Sequence, residues 1–185
     1  MSGCVRQSEP VDDPTLGDGV VQLREWELSD AEWYATTAAH DELIQRFTSE
    51  SPTVTSTDVR TAIQDLRRSD TAEGFLICDA ATGARLGNIA LHHEDGIGHV
   101  SYWLAASARG KGAATRALRL FSRWAFDRLD LRELRLWTHA DNSASRRVAE
   151  RAGFHRDPQR DKQRVVKDIM WTTTAYRLPP PTTVD

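Results

Sequence analysis

Long apolar runs are missing from this chain: hydrophobic residues come in short segments broken by charges, and none approaches the roughly 18 residues a membrane span requires. No membrane partner is expected. Cysteine is nearly absent as well. Cys4 lies in a polar stretch and Cys78 in an apolar one, a poor disulfide framework in which neither thiol has the surroundings of a nucleophile. Residues Met1 to Asp18 lack the basic-then-apolar pattern of a secretory signal, and there are no internal repeats or low-complexity blocks. These absences point to a soluble protein of the reducing cytoplasm. At 185 residues, 39% of them hydrophobic, the chain suits one domain with a core of its own. The formal net charge of −3 and the lack of a recognised reading motif disfavour nucleic acid as a partner.

The net charge hides an asymmetry. Residues 1–70 carry 14 acidic and 6 basic side chains, residues 71–185 carry 13 and 18. A basic second half suits a polyanionic cofactor and an acidic first half a cationic substrate, although a solvated surface that happens to segregate explains charge alone equally well.

Polar, aperiodic ends read as flexible tails over 1–18 and 179–185, leaving a single domain over 19–178. Val20, Val21, Leu23 and Trp26 predict a first strand, and Ser29 with Glu32 a capping box that opens a helix over about 30–40. A second helix is expected over 57–68, capped by Thr57 or Ser56, with Val59, Ile63 and Leu66 on one face. The period then changes to that of strands. Gly74–Asp79, Arg85–His92 and Ile97–Ala105 are joined through Thr82-Gly83 and Asp95-Gly96, dipeptides that favour antiparallel hairpins. A long amphipathic helix follows, with Ala114, Ala117, Leu118, Phe121, Trp124, Ala125 and Leu129 in one stripe and Arg116, Arg119 and Arg123 opposite. Leu134–His139 is the next strand, and strand, helix, strand at this spacing implies a right-handed crossover between parallel neighbours. A short helix over Ser143–Ala152 ends at Gly153, and 154–157 and 165–177 supply closing strands. The expected class is α+β, a mixed, mostly antiparallel central sheet flanked by helices.

The most informative stretch is Arg109-Gly110-Lys111-Gly112-Ala113-Ala114, between a strand and the long helix. A helix start presents unpaired N–H groups and partial positive charge, so it can hold a phosphate. Gly110 and Gly112 allow the turn and the anion's approach, and Lys111 adds a point charge. A plain glycine turn is the alternative for a lone Gly-x-Gly. A Walker loop is excluded because Ala105 stands where its first glycine belongs and Gly112 where Ser or Thr should follow the lysine; Thr115 replaces the third glycine of a dinucleotide fingerprint.

Arg109-x-x-Gly112-x-Ala114 after a strand resembles the pyrophosphate loop of the GNAT N-acetyltransferase superfamily. Tyr102-Trp103-Leu104 resembles that family's fourth strand, and Asn142-Ser143-Ala144-Ser145 running on to Gly153-Phe154 resembles its motif B. Leu23-Arg24-Glu25-Trp26 with Asp30, and Lys167-Asp168, extend a weaker likeness, closest to the RimJ/RimL-like branch. The resemblance implies the GNAT acyl-CoA N-acyltransferase fold, with splayed fourth and fifth strands and the pantetheine arm of CoA in the opening. It implies acetyl-CoA as cosubstrate and no metal. The cofactor would be held by Arg109, Gly110, Lys111, Gly112, Ala113 and Ala114 at the pyrophosphate. A backbone N–H near Tyr102 to Leu104, with Trp103 and Leu104 counted as cofactor contacts, would meet the thioester carbonyl, and Asn142 and Ser145 would flank the pantetheine. For Asn142, a simple N-cap role is an equal alternative. The acceptor would be an amine, either a protein N-terminus or a small molecule, and a homodimer is a possible assembly.

Aminolysis of a thioester needs a neutral amine. An amine of pKa near 10 is only about 0.1% neutral at pH 7, a handicap of roughly 4 kcal/mol that a base or a desolvating site must offset. His99, at a position often acidic in such proteins, is the first candidate and would share a face with Ser101 and Trp103; packing or solvent exposure is its bland alternative. His92, His93, His139 and Asp168 are weaker. A thiol leaves more easily than an amine is activated, so an acid matters less. Many relatives place tyrosine where Ala149 stands here; Ser145 resembles a serine proposed for that role, with a surface serine as its alternative. Of six tryptophans most read as core filling, and only Trp26, Trp33 and Trp171 lie on segments that line the acceptor cleft in relatives. The long-helix arginines can reach an adenosine 3′-phosphate or simply face solvent. A non-catalytic acyl-CoA sensor or scaffold stands as the alternative function, kept open by the missing tyrosine.

Overall fold

The computed structural model describes residues 16–181; Cys4 and most of both expected tails lie outside them. The last three residues of the expected N-terminal tail are packed, since Leu16 joins the core and Asp18 pairs with Arg116 at 2.7 Å.

Among the described residues, eight strands form one sheet: β1 Val21–Glu25, β2 Ala72–Asp79, β3 Arg85–Glu94, β4 Ile97–Leu104, β5 Glu133–His139, β6 His155–Arg156, β7 Lys162–Val166 and β8 Ile169–Leu178. Their order is β1-β2-β3-β4-β5-β8-β6, with β7 also paired to β8. Among these described strands only β4 and β5 run parallel; every other pairing is antiparallel. This is the mixed, mostly antiparallel α+β sheet the strand and hairpin pattern predicts.

Five α-helices among the described residues cover it: α1 Ala31–His40, α2 Glu42–Phe47, α3 Ser56–Leu66, α4 Ala113–Arg128 and α5 Ser143–Arg151. Alternation along the strands sorts two layers of core. Phe75 and Ile77 of β2 join Val100 and Leu104 of β4 against the α4 stripe, where Ala117, Leu118, Phe121 and Ala125 are fully buried. Burying Leu118 and Phe121 stabilises the layer by about 1.5–3 kcal/mol each. Leu76 and Cys78 face the other way, against Trp26, Ala31, Ala35, Val59 and Ile63 of the α1 and α3 layer.

The structure corrects several local expectations. Ser29 caps nothing: its Oγ donates to Glu27 at 3.0 Å, a 3-10 turn fills Leu28–Asp30, and Asp30 takes the buried position before α1. Thr55, not Ser56 or Thr57, caps α3, with Asp58 completing the box. Helix α2, capped by Asp41, was not predicted, since six residues are too few for a helical period to show. The single closing strand expected over 165–177 is a hairpin. Lys167 and Asp168 both take positive φ, the geometry of a tight turn, without the Gly or Asn that announces one.

Candidate functional site

Strands β4 and β5 pair over three residues only, Ile97, Gly98 and His99 against Glu133, Leu134 and Arg135. Beyond them β4 stays with β3 as far as Leu104 and β5 stays with β8 as far as His139, so the two part. A cleft of about 670 Å³ occupies the opening. Its walls are residues 99–104 of β4, Leu136 to Thr138 of β5, the loop and first turn at 109–115, the start of α5, and the segment from Leu43 to Glu50.

At one end, Gly112 caps α4 in the left-handed region (φ +80°) and no side chain caps the helix. The first intrahelical bond is donated by the Arg116 N–H to the Gly112 carbonyl at 3.2 Å, so the amides of Ala113, Ala114 and Thr115 precede the helical ladder. Gly110 is also left-handed (φ +77°), and a Cβ built on either glycine would meet nothing within 4 Å. The glycines therefore serve backbone conformation and keep this surface open, which suits a phosphate group.

Not every expected loop residue aims at that surface. The Arg109 guanidinium turns back, donating to Asp41 Oδ1 at 2.7 Å and to the Leu104 carbonyl at 2.8 Å, and so ties the loop to the start of α2. Lys111 donates to the Ser107 carbonyl at 3.0 Å and does not line the cleft. Among the long-helix arginines, Arg116 is held by Asp18 and Arg119 by the Arg151 carbonyl. Arg147 and Arg151, on α5, do line the cleft.

Midway, the Tyr102 hydroxyl spans the opening to α5. It lies 2.8 Å from Ser145 Oγ and 3.3 Å from the Ser145 carbonyl, and burial pushes the phenol up to about 12, so it remains a proton carrier at neutral pH. The Asn142 side chain accepts from the Ser145 N–H at 3.0 Å, the N-cap role, and also lines the cleft. Ala149 is fully buried and presents nothing to it.

His99 lines the cleft. Burial, then the charges of Arg135 and Arg164, His92 and Arg160, hold its imidazole below the ordinary histidine value, favouring the neutral base. Of the weaker candidates, His92 sits opposite His99 across β3 and β4, His93 is on β3, and Asp168 is in the β7–β8 turn. His139 accepts the Asp141 N–H at 3.1 Å and packs edge-on against Trp171.

Trp26 and Trp33 pack within the α1 and α3 layer, and Trp171 with His139 lines a smaller neighbouring cavity of about 310 Å³. The tryptophans that line the larger cleft are Trp103 and Trp137. Trp103 is stacked on Trp33 (5.8 Å between centroids) and its Nε1 donates to Glu50 at 3.3 Å. Glu50, the Tyr102 hydroxyl, Arg147 and Arg151 escape sequence reasoning; their only signal is position in a three-dimensional cleft.

Residues 21–155 match the family described as Acetyltransferase (GNAT) domain. The Bacillus subtilis (strain 168) protein YdaF, provisionally named a ribosomal N-acetyltransferase, is 34% identical over 115 residues. That match spans 58% of this chain and 61% of YdaF. Two solved structures superpose closely. One is the Salmonella typhimurium acetyltransferase that modifies the N-terminal serine of ribosomal protein L7/L12, with 18% identity, TM-score 0.73 and coverage of 89% of this chain and 97% of that one. The other is the Vibrio cholerae spermidine N-acetyltransferase in complex with CoA and spermine, with 15% identity, TM-score 0.76 and coverage of 88% and 96%. At these identities the two structures establish the fold.

Proposed function

The chain belongs to the GNAT acetyltransferase family, and from that premise we propose that it moves an acetyl group from acetyl-CoA to a primary amine by direct attack. The observation that carries this reading is the parting of β4 from β5 beside an uncapped, unobstructed helix start. The residues present fit CoA: the amides of 110–115 offer donors for a diphosphate, and the opening between the strands has room for a slender arm. Arg147 and Arg151 add positive charge on the same wall. Acetyl-CoA supplies the activated acyl group; the chain supplies placement, a base and a proton.

His99, kept neutral by its surroundings, accepts a proton from the attacking amine. A backbone N–H of the Trp103 to Leu104 stretch holds the developing oxyanion. The Tyr102 hydroxyl, backed by Ser145 Oγ, delivers a proton to the departing sulfur, replacing the tyrosine that Ala149 cannot be. This pair favours the enzyme reading over a non-catalytic sensor. The acceptor belongs among protein N-termini or small cationic amines: YdaF is provisionally named a ribosomal N-acetyltransferase, and the structural neighbours act on L7/L12 or spermidine. A cytoplasmic location follows from the same reading.

The test is thiol release from acetyl-CoA with a panel of amines and N-terminal peptides, products checked by the mass shift of acetylation. Turnover of at least one amine is expected. Tight acetyl-CoA binding with no turnover on any acceptor would return the sensor reading.

A further inference from the structure

The same cleft is lined by a carboxylate that the proposed mechanism does not use, that of Glu50. Glu50 lies on the segment after α2, and its Oε1 accepts the Tyr34 hydroxyl at 2.6 Å and Trp103 Nε1 at 3.3 Å. Those two rings are themselves fixed. Tyr34 packs edge-on against Trp103 (5.0 Å) and Trp26 (5.4 Å), and Trp103 is stacked on Trp33. Burial and the nearby Glu50 charge push the Tyr34 phenol well above its ordinary value, so it stays a donor.

Both hydrogen bonds fall on one oxygen, and Oε2 has no partner among the described residues. The carboxylate forms no ion pair either, although its charge acts on Lys167 from a distance. Among the described residues no Lys, Arg or His lies within ion-pair distance of the Glu50 carboxylate. The nearest candidate, Lys167, spends its Nζ on the carbonyls of Gln45 (2.7 Å) and Glu50 (2.7 Å) and on Gln45 Oε1 (2.9 Å), fastening this segment to the β7–β8 turn. A half-buried carboxylate whose neighbouring cation is committed to carbonyls keeps acceptor capacity for a bound cation. Here it lines the cleft with Phe47 and Trp103, aromatic walls that can contact an alkyl chain; the Phe47 ring already carries the Arg46 guanidinium at 5.0 Å.

We propose that Glu50 recognises the acceptor, its free carboxylate oxygen pairing with the ammonium of a cationic amine that approaches on the α1–α3 side of the sheet. The inference rests on the acetyltransferase reading and adds the residue that selects positive charge. Glu50 acts here as a specificity residue: it holds the charged amine beside the opening through which the thioester is reached.

Glu50→Gln provides the test, because its amide oxygen still accepts from Tyr34 and Trp103 while the charge is gone. Steady-state kinetics would use spermidine, a peptide with a free N-terminal serine, and an uncharged arylamine, with acetyl-CoA binding measured separately by calorimetry. The expected result is a KM for the cationic acceptors raised about tenfold to a hundredfold, kcat changed by no more than about threefold, and unchanged behaviour toward the arylamine and acetyl-CoA. A Glu50→Gln enzyme with unaltered KM for both cations would overturn the proposal and leave the carboxylate a structural tie, which Glu50→Ala alone would then disturb. A wild-type protein that binds acetyl-CoA and acetylates the arylamine but neither cation would overturn it too, with the acetyltransferase reading intact. Failure to bind acetyl-CoA at all would remove that reading, and this inference with it.

Discussion

Gly112 concentrates the chemistry of the anion loop in one residue. Its positive φ favours glycine, but the space a Cβ would enter is empty, so Gly112→Asp can fold at a strain of about 1–2 kcal/mol. The new carboxylate would face the helix start. Calorimetry should find acetyl-CoA binding weakened at least about tenfold while the melting temperature falls only a few degrees; unchanged affinity would move the diphosphate elsewhere. His99 makes a second prediction at this scale. Its imidazole is held below the ordinary value of 6.5, so kcat/KM should rise with pH through an apparent pKa below that value and then level. His99→Gln should remove this limb and lower kcat/KM by about a hundredfold or more. The sign also reaches stability. A depressed histidine pKa means the unfolded chain binds the proton better, so the contribution is full above 6.5 and is lost as pH falls through that window.

The elements that matter are β4, which is shared by both faces of the site, and α5, whose first turn meets it. Side chains alternate along β4, so Tyr102 reaches the α4 and α5 face while Trp103 reaches the α1 face. Adjacent residues thus serve the thiol end and the acceptor end. Tyr102→Phe should lower kcat for acetyl transfer by about tenfold to a hundredfold without changing acetyl-CoA affinity, and Ser145→Ala by less, since it only supports the phenol. Stopped-flow thiol release would separate the two. The strands and α4 were legible because hairpin dipeptides and a 3.6-residue stripe are local signals. The partners of Tyr102 and Trp103 were not, because Ser145 lies 43 residues away and Glu50 lies 53 away, distances over which a single sequence records no contact. The β7–β8 turn was illegible for another reason: Lys167 and Asp168 adopt a conformation that their side chains do not advertise.

Across the whole molecule, one fully buried carboxylate helps fasten the acidic first half to the sheet. Asp30 accepts from Arg24 at 2.8 and 2.9 Å and from Arg85 at 2.7 Å, joining β1, α1 and β3. Burial works to raise its pKa, but the two guanidinium groups and the Glu27 N–H prevail and bring it to about 2. Its stabilisation is therefore present above the ordinary value of 3.8 and lost as pH falls through about 2. Asp30→Asn should destabilise the fold by about 2–3 kcal/mol in urea titrations, below the loss for a fully buried pair because both arginines keep contact with water. At this scale the sequence was informative about class and family, since the order of periods already implied a mixed sheet with one parallel crossover. The charge asymmetry found its use only in three dimensions: Glu50, from the acidic half, and Arg147 and Arg151, from the basic half, line the same cleft. The most direct measurement is a crystal structure with CoA. The diphosphate should lie on the amides of 110–115 and the pantetheine should run between residues 100–104 and 136–138. A complex with CoA bound elsewhere, and these amides facing only solvent, would contradict the account.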